Sequence, residues 1–256
     1  MRNRLKDVLE HGEVAFGVTV TIGHPDVTEI LGGIGFDFIN IDMQHAPLNI
    51  ETVQNLMQSM SYSQTTPIVR VPQNDYAMIN SALDVGAHGI IIPLVNTRED
   101  LLKALNYALY PPKGARSYGP RRAVLRDPEY VSSANREILV IPQIETREAV
   151  ENLEEILSVE GVKALFVGPN DLSMSLGVYA QWHHPTFEKA LNTIIETAEK
   201  SGVKPGILAP IGEPEELIDR GFKLITLGKD TTFLMNAATS VLKRARAHLS
   251  SLKEKP

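Results

Sequence analysis

The chain has 256 residues, 43% of them hydrophobic and 22% charged, and a formal net charge of −6. That length suits one large domain, and the acidic balance gives a nucleic acid or an anionic membrane no electrostatic support. Cysteine is absent, which excludes disulfides, thiolate nucleophiles and cysteine-ligated metals together.

Residues 1–7 lead into no apolar core of signal-peptide length, and no apolar run approaches the ~20 residues a membrane span needs. A cytoplasmic protein is expected. Residues 4–10 read as a short helix closed by His11-Gly12, and residues 14–20 as a first strand. Pro25 suits the first turn of a helix that runs to about Leu31, where Gly32-Gly33 stops it. Residues 36–41 form a second strand, followed by Asp42-Met43-Gln44-His45-Ala46-Pro47 and a helix with Ile50, Val53, Leu56, Met57 and Met60 on one face. Residues 67–71 are a third strand, and Asn74-Asp75 caps a helix carrying Met78, Ile79 and Leu83. Residues 89–93 are a fourth strand and 98–109 the next helix. From 110 to 128 Pro, Gly and Arg replace the pattern, over more residues than a connection needs, as in functional loops.

Residues 140–144 are rich in β-branched side chains, the composition of a strand buried on both faces. The run ends on Glu145, and Thr146 opens an amphipathic helix with Ala149, Val150 and Leu153 behind it. One helix later, residues 163–167 repeat the strand composition and end in Gly168-Pro169-Asn170-Asp171-Leu172-Ser173. Residues 206–209 and 224–228 supply strands seven and eight, with helices at 185–200 and 213–220. A last helix from 231 to about 252 puts Leu234, Val241, Leu242 and Leu249 on one face. Eight strand-like runs alternating with helices over this length predict a single α/β domain spanning 1–256. Its expected fold is a (β/α)8 TIM barrel with a short N-terminal helix and a long C-terminal one. A doubly wound sheet would favour a glycine-rich phosphate turn after the first strand, and residues 21–25 do not make one.

In barrel enzymes chemistry sits at the C-terminal ends of the strands. Those positions hold Asp42 and His45, Arg70, Gln143 and Glu145, and Asn170 and Asp171. Singly, each has a structural explanation. Glu145 or Asp171 suits a helix N-terminus, where the macrodipole favours a carboxylate; Arg70 suits a salt bridge, and His45 a solvated loop. His183-His184 reads as a turn, and Arg121-Arg122 as solvated loop charge or a gate for an anionic substrate. Jointly they point further. If strands five and six are parallel neighbours, their ends lie roughly 5 Å apart, so Glu145 and Asp171 reach one cation. Oxygen ligands suit Mg2+ or Mn2+, with Co2+ as an alternative, and such a cation polarises a bound 2-oxo acid. A guanidinium adds positive charge where an enolate oxygen forms, and histidine takes or gives the proton. Those parts suffice for reversible aldol cleavage.

Five ordered segments carry a family likeness: Ile41-Asp42-Met43-Gln44-His45-Ala46-Pro47, Pro67-Ile68-Val69-Arg70, Leu83-Asp84-Val85-Gly86-Ala87, Gln143-Ile144-Glu145-Thr146 and Gly168-Pro169-Asn170-Asp171-Leu172-Ser173. They resemble the HpcH/HpaI family of class II, metal-dependent pyruvate aldolases, from about Ala15 to the final helix. The resemblance implies cleavage of a 4-hydroxy-2-oxo acid to pyruvate, or a close 2-oxo acid, and an aldehyde. It implies Glu145 and Asp171 as metal ligands, His45 as proton acceptor and Arg70 as stabiliser of the enolate. Gln143, Asn170 and Asp171 become substrate contacts, and Asp84 the acid that raises the basicity of His45. The residues themselves put Asp84 late in a helix that descends from the barrel mouth. Met43-Gln44 stands where the family commonly has Gly-Glu, removing a carboxylate beside the histidine. The resemblance further implies a homo-oligomer, a hexamer built as a trimer of dimers, with the last helix packed on a neighbouring subunit. The apolar face after Thr231 fits that, and equally a helix folded back on its own barrel.

Three other readings stay open. A Schiff-base aldolase needs a lysine at a strand's C-terminal end. Lys163, Lys204 and Lys223 sit at strand beginnings, which leaves Lys229, beside Asp230. A CoA-thioester lyase of the citrate-lyase β type would take acyl-CoA substrates. A barrel that only binds an oxo acid would have no use for a base at His45.

Overall fold

Alternate residues of these strands meet two different apolar environments, and closing the sheet on itself gives each face its own core. The computed structural model describes residues 2–208 and 211–253. The first half runs α1 (Arg4–Glu10), β1 (Ala15–Val20), α2 (Pro25–Ile34), β2 (Phe38–Asp42), α3 (Ile50–Ser59), β3 (Thr66–Arg70), α4 (Tyr76–Asp84), β4 (Gly89–Ile92) and α5 (Arg98–Ala108). The second runs α6 (Arg121–Arg126), α7 (Tyr130–Glu137), β5 (Leu139–Ile144), α8 (Arg147–Glu151), α9 (Leu153–Leu157), β6 (Ala164–Val167), α10 (Pro169–Ser175), α11 (Pro185–Lys200), β7 (Lys204–Leu208), α12 (Pro214–Asp219), β8 (Leu224–Lys229) and α13 (Asp230–Lys253). The strands pair in parallel, in chain order, into a closed TIM barrel.

Phe38, Ile68, Ile91, Ile141, Phe166 and Leu224 fill the lumen, while Val18, Ile39, Val69, Ile90 and Ile225 pack against the helices. The Phe38 and Phe166 rings meet edge to face at 6.2 Å across the lumen. Helix α1 closes the N-terminal end. Its Leu5 and Leu9 join the lumen cluster, and the Leu5 amide donates to Thr66 Oγ1 at 3.2 Å. Asn3 caps α1 and also donates to the carbonyls of His88 and Glu137.

Several local expectations change. Helix α2 runs through Gly32-Gly33 to Ile34 and ends at Gly35, whose φ of 106° is open to glycine at little cost. Gly32 sits inside the helix because a Cβ there would already touch Ser63, a packing reason for a residue of poor helix propensity. The 110–128 stretch contains α6, and α7 follows it. It is an α-to-β connection, so it lies at the barrel's N-terminal end, opposite the mouth. There Arg122 donates to the carbonyls of Val85 and Met57. Arg122 is therefore neither a solvated loop charge nor a gate at its own barrel's mouth. The helix after β5 divides into α8 and α9 at Asn152, and the short helix α10 follows β6 directly over residues 169–175. Strand β7 begins at Lys204; the predicted strand end at Ala209 lies outside the described residues.

Helix α13 does not fold back on its own barrel: residues 231–252 are exposed throughout, Leu234, Met235, Val241, Leu242 and Leu249 among them. Among the described residues no helix is long and apolar enough to cross a membrane.

Candidate active site

Three strands present a connected polar row at the C-terminal end of the lumen. Asp42 on β2 and Arg70 on β3 are Cα partners in the ladder, so both side chains stand on the same face. Arg70 is 3% exposed and Asp42 fully buried. The guanidinium donates from Nη2 to Asp42 Oδ2 at 2.5 Å and from Nε to Oδ1 at 2.9 Å, a bidentate fork. Burial pushes the Asp42 carboxyl up, but the Arg70 hydrogen bonds and charge, with the His45 and Gln44 amides, outweigh it and hold it below the usual range.

Arg70 Nη1 continues the row to Gln143 Oε1 at 3.4 Å, and Gln143 Nε2 donates to Glu145 Oε2. Glu145 Oε1 accepts the Leu94 amide at 2.8 Å. Leu94 adopts a φ of 52°, uncommon for a side chain of that size, so the turn after β4 is held in a strained shape that aims its N–H at the carboxylate. Glu145 is 1% exposed. Burial raises its pKa above the usual carboxylate range; Gln143 and the Leu94 amide pull it partway back, and the charge of Asp171 pushes it up again.

Asp171 lies in the first turn of α10, straight after β6, the strand that pairs with β5. Thr146 rather than Glu145 caps α8, whereas Asp171 does stand in the first turn of α10, where the macrodipole favours a carboxylate, although α10 has no side-chain cap. Gly168 stands between the acids. A Cβ there would fall 2.6 Å from Glu145 Oε2 and 3.1 Å from Gln143 Nε2, so only a residue without a side chain leaves the carboxylate its place.

The structure thus brings together Asp42, Arg70, Gln143, Glu145 and Asp171 from the strand-end positions. His45 and Asn170 stand exposed at the rim; the His45 amide donates to Asp42 Oδ1 at 3.3 Å. Asp84 is elsewhere. It ends α4 and pairs with Arg116 at 2.7 Å, at the N-terminal end of the barrel. Lys229 ends β8 at the mouth.

Sequence reading passed over four features of this end: the Leu94 amide, Gly168, the Asp42–Arg70 fork, and a buried polar layer of Thr19, Asn40 and Thr226 beneath them. Asn40 Nδ2 donates to Thr19 Oγ1 at 3.3 Å. The available signal was parity: once Phe38 faces the lumen, Asn40 and Asp42 must follow.

The site fits a hard divalent cation. Its candidate ligands are two carboxylates, one of them buried with its pKa raised by that burial, and oxygen donors with positions left for water and substrate suit Mg2+ or Mn2+. Among the described residues no group of three or more His, Asp or Glu forms a protein-only cage.

Known proteins share this fold. The family model described as HpcH/HpaI aldolase/citrate lyase matches residues 16–237. The 4-hydroxy-2-oxo-heptane-1,7-dioate aldolase of Escherichia coli is 35% identical over 258 aligned residues, covering 99% of this chain and 98% of that one. A crystal structure of a HpcH/HpaI aldolase/citrate lyase family protein from Burkholderia cenocepacia J2315 superposes with a TM-score of 0.91 at 30% identity, covering 95% of this chain and 99% of that one. The HpcH/HpaI aldolase from Desulfitobacterium hafniense DCB-2 gives a TM-score of 0.88 at 29% identity, over 98% and 97% of the two chains. With the match continuous from strand β1 into helix α13, the chain belongs to the HpcH/HpaI aldolase/citrate lyase family and is a carbon–carbon lyase.

Proposed function

We propose that the chain is a divalent-metal-dependent aldolase that reversibly cleaves a 4-hydroxy-2-oxo acid to pyruvate, or a close 2-oxo acid, and an aldehyde. The observation that carries this reading is Glu145: a buried carboxylate beside the charge of Asp171, joined through Gln143 to the guanidinium of Arg70. A Mg2+ or Mn2+ ion held by Glu145 and Asp171 supplies Lewis acidity toward the oxygens of the oxo acid.

The chain's own groups do the rest. Arg70 gives Asp42 two donors and Gln143 a third, so N–H groups remain to face the oxygen on which negative charge develops. Because the Asp42 fork locks the guanidinium, that positive charge needs no reorganisation as the reaction proceeds. His45 at the rim accepts the proton of the 4-hydroxyl on cleavage and returns it on condensation. Gln143 orients Glu145 toward the ion, and Asn170 contacts the substrate beside Asp171. In its own chain Asp84 is bound to Arg116, so it acts on a histidine only if that histidine comes from a second copy. The exposed apolar stretch of α13 supports a homo-oligomer, for which a hexamer built as a trimer of dimers is our reading. The cytoplasm is our expected location.

The deciding experiment is exchange of pyruvate methyl protons in D2O with Mg2+ or Mn2+. Exchange that stops with EDTA and slows in His45→Ala, with ion affinity retained, supports the reading. No exchange by metal-replete protein overturns it, and borohydride trapping of a pyruvate adduct would favour the Schiff-base route instead.

A further inference from the structure

One cation at the mouth has no role in the chemistry above. Lys229 is partly buried, and among the described residues its ammonium has no hydrogen bond or ion pair. Its neighbour Asp230 is not its partner. The Asp230 carboxylate accepts the amides of Thr21, Ile22 and Thr231 and the Thr21 hydroxyl at 2.7–2.9 Å.

Two observations direct the lysine toward the lumen. Along β8, Thr226 pairs with Gly17 of β1, but the next paired residue, Thr19, is opposite Lys229, so the ladder carries a one-residue bulge. Thr19 faces the lumen, where Asn40 donates to it, and register partners share a face. Gly228 reads the same way from the other side. A Cβ there would meet the Phe233 ring of α13 at 2.7 Å, so position 228 faces the helix and position 229 faces the mouth. Without the bulge the alternation would reverse, and Lys229 would point into the apolar layer that holds Ile225 and Leu227.

Strand β8 stands two places round the closed barrel from β6, roughly 10 Å or less at the observed kind of strand spacing. With its 4-hydroxyl turned to His45 after β2, an oxo acid seated at Glu145 and Asp171 would carry its aldehyde half on the β2–β1 side of the mouth, next to β8 and within a lysine's reach. We propose that Lys229 is a specificity-determining residue that binds a carboxylate at the distal end of the aldehyde half of the substrate. This rests on the aldolase reading and deepens it: the fragment that leaves as the aldehyde carries its own negative charge.

The test compares condensation of pyruvate with 4-oxobutanoate, a carboxylated aldehyde, and with butanal, its neutral counterpart of equal length. Lys229→Met lowers kcat/KM for 4-oxobutanoate by about tenfold or more, through KM, and changes the butanal value far less. Lys229→Arg, which keeps the charge, restores the preference. A Lys229→Met variant that loses both aldehydes alike, or neither, overturns the assignment. So does a folded Lys229→Arg variant without activity, the behaviour of a Schiff-base lysine. Methyl-proton exchange by the wild type is measured alongside: exchange without discrimination between the aldehydes removes Lys229 alone, and absence of exchange removes the aldolase reading with it.

Discussion

Arg70 and Asp42 are ladder partners on adjacent strands, and they close on each other with two donors and two acceptors at 2.5 and 2.9 Å, both side chains buried. The pair is what allows a guanidinium to be buried at the end of an apolar lumen. Its attraction acts in a low dielectric, and the fork leaves neither partner free to turn.

Asp42→Ala leaves that guanidinium buried without its counter-charge. Loss of one member of a buried pair costs about 3–5 kcal/mol, so the urea midpoint should fall sharply while the unfolding slope stays constant. A change within about 0.5 kcal/mol would mean the pair contributes nothing. The pH dependence has a definite sign. The folded Asp42 pKa lies below the unfolded value of about 3.9, so its stabilisation is full above that pH and is lost as the pH falls through the folded value.

Glu145 behaves oppositely. Its folded pKa is raised, so between the unfolded value of about 4.3 and the folded one the native state holds more protons than the unfolded chain. Stability of the metal-free protein should decline as the pH rises through that window. Saturating Mn2+ should reverse the decline, because an ion on the carboxylate favours its ionised form. Thermal melts across the window, with EDTA and with Mn2+, read both slopes; identical slopes would remove Glu145 as a ligand.

Gly168→Ala tests the geometry of the same carboxylate. The added Cβ arrives 2.6 Å from Glu145 Oε2, and Glu145 follows directly on Ile144, the last β5 residue paired with β6. The expected result is a loss of ion affinity and turnover of about tenfold or more with the circular dichroism spectrum unchanged. Calorimetry with Mn2+ measures the first directly, and wild-type affinity in the variant would mean the carboxylate has room to move.

The exposed side of α13 gives a prediction about assembly. Replacing Leu234 and Leu242 by aspartate should reduce the sedimentation coefficient to that of a smaller assembly while the barrel still melts cooperatively. A wild type that already sediments as a monomer would end the oligomer proposal.

The fold was legible because its signals repeat: eight β-branched runs, each followed by a turn and a helical stretch, leave few architectures open. What lay hidden depends on relations across the sheet. Asp42 and Arg70 are far apart in the chain and become partners only through the β2–β3 register. Gly168 gains its meaning from where the Glu145 oxygen sits, and Lys229 its direction from a bulge that no local pattern announces. Helices α6 and α7 escaped notice for a different reason: each is short, follows Pro120 or Glu129 without a side-chain cap, and lies in a stretch whose prolines and glycines suggest a loop. The polar residues at the strand ends needed no register to be picked out, since each follows an apolar run and stands where barrel chemistry occurs.

Because Leu5 and Leu9 of α1 stopper one end of the barrel, the polar well at the other end has a single doorway. Traffic through one doorway is last in, first out. Under the proposed chemistry the oxo acid lies deepest and the aldehyde above it, so cleavage releases the aldehyde before pyruvate, and condensation must load them in the reverse sequence.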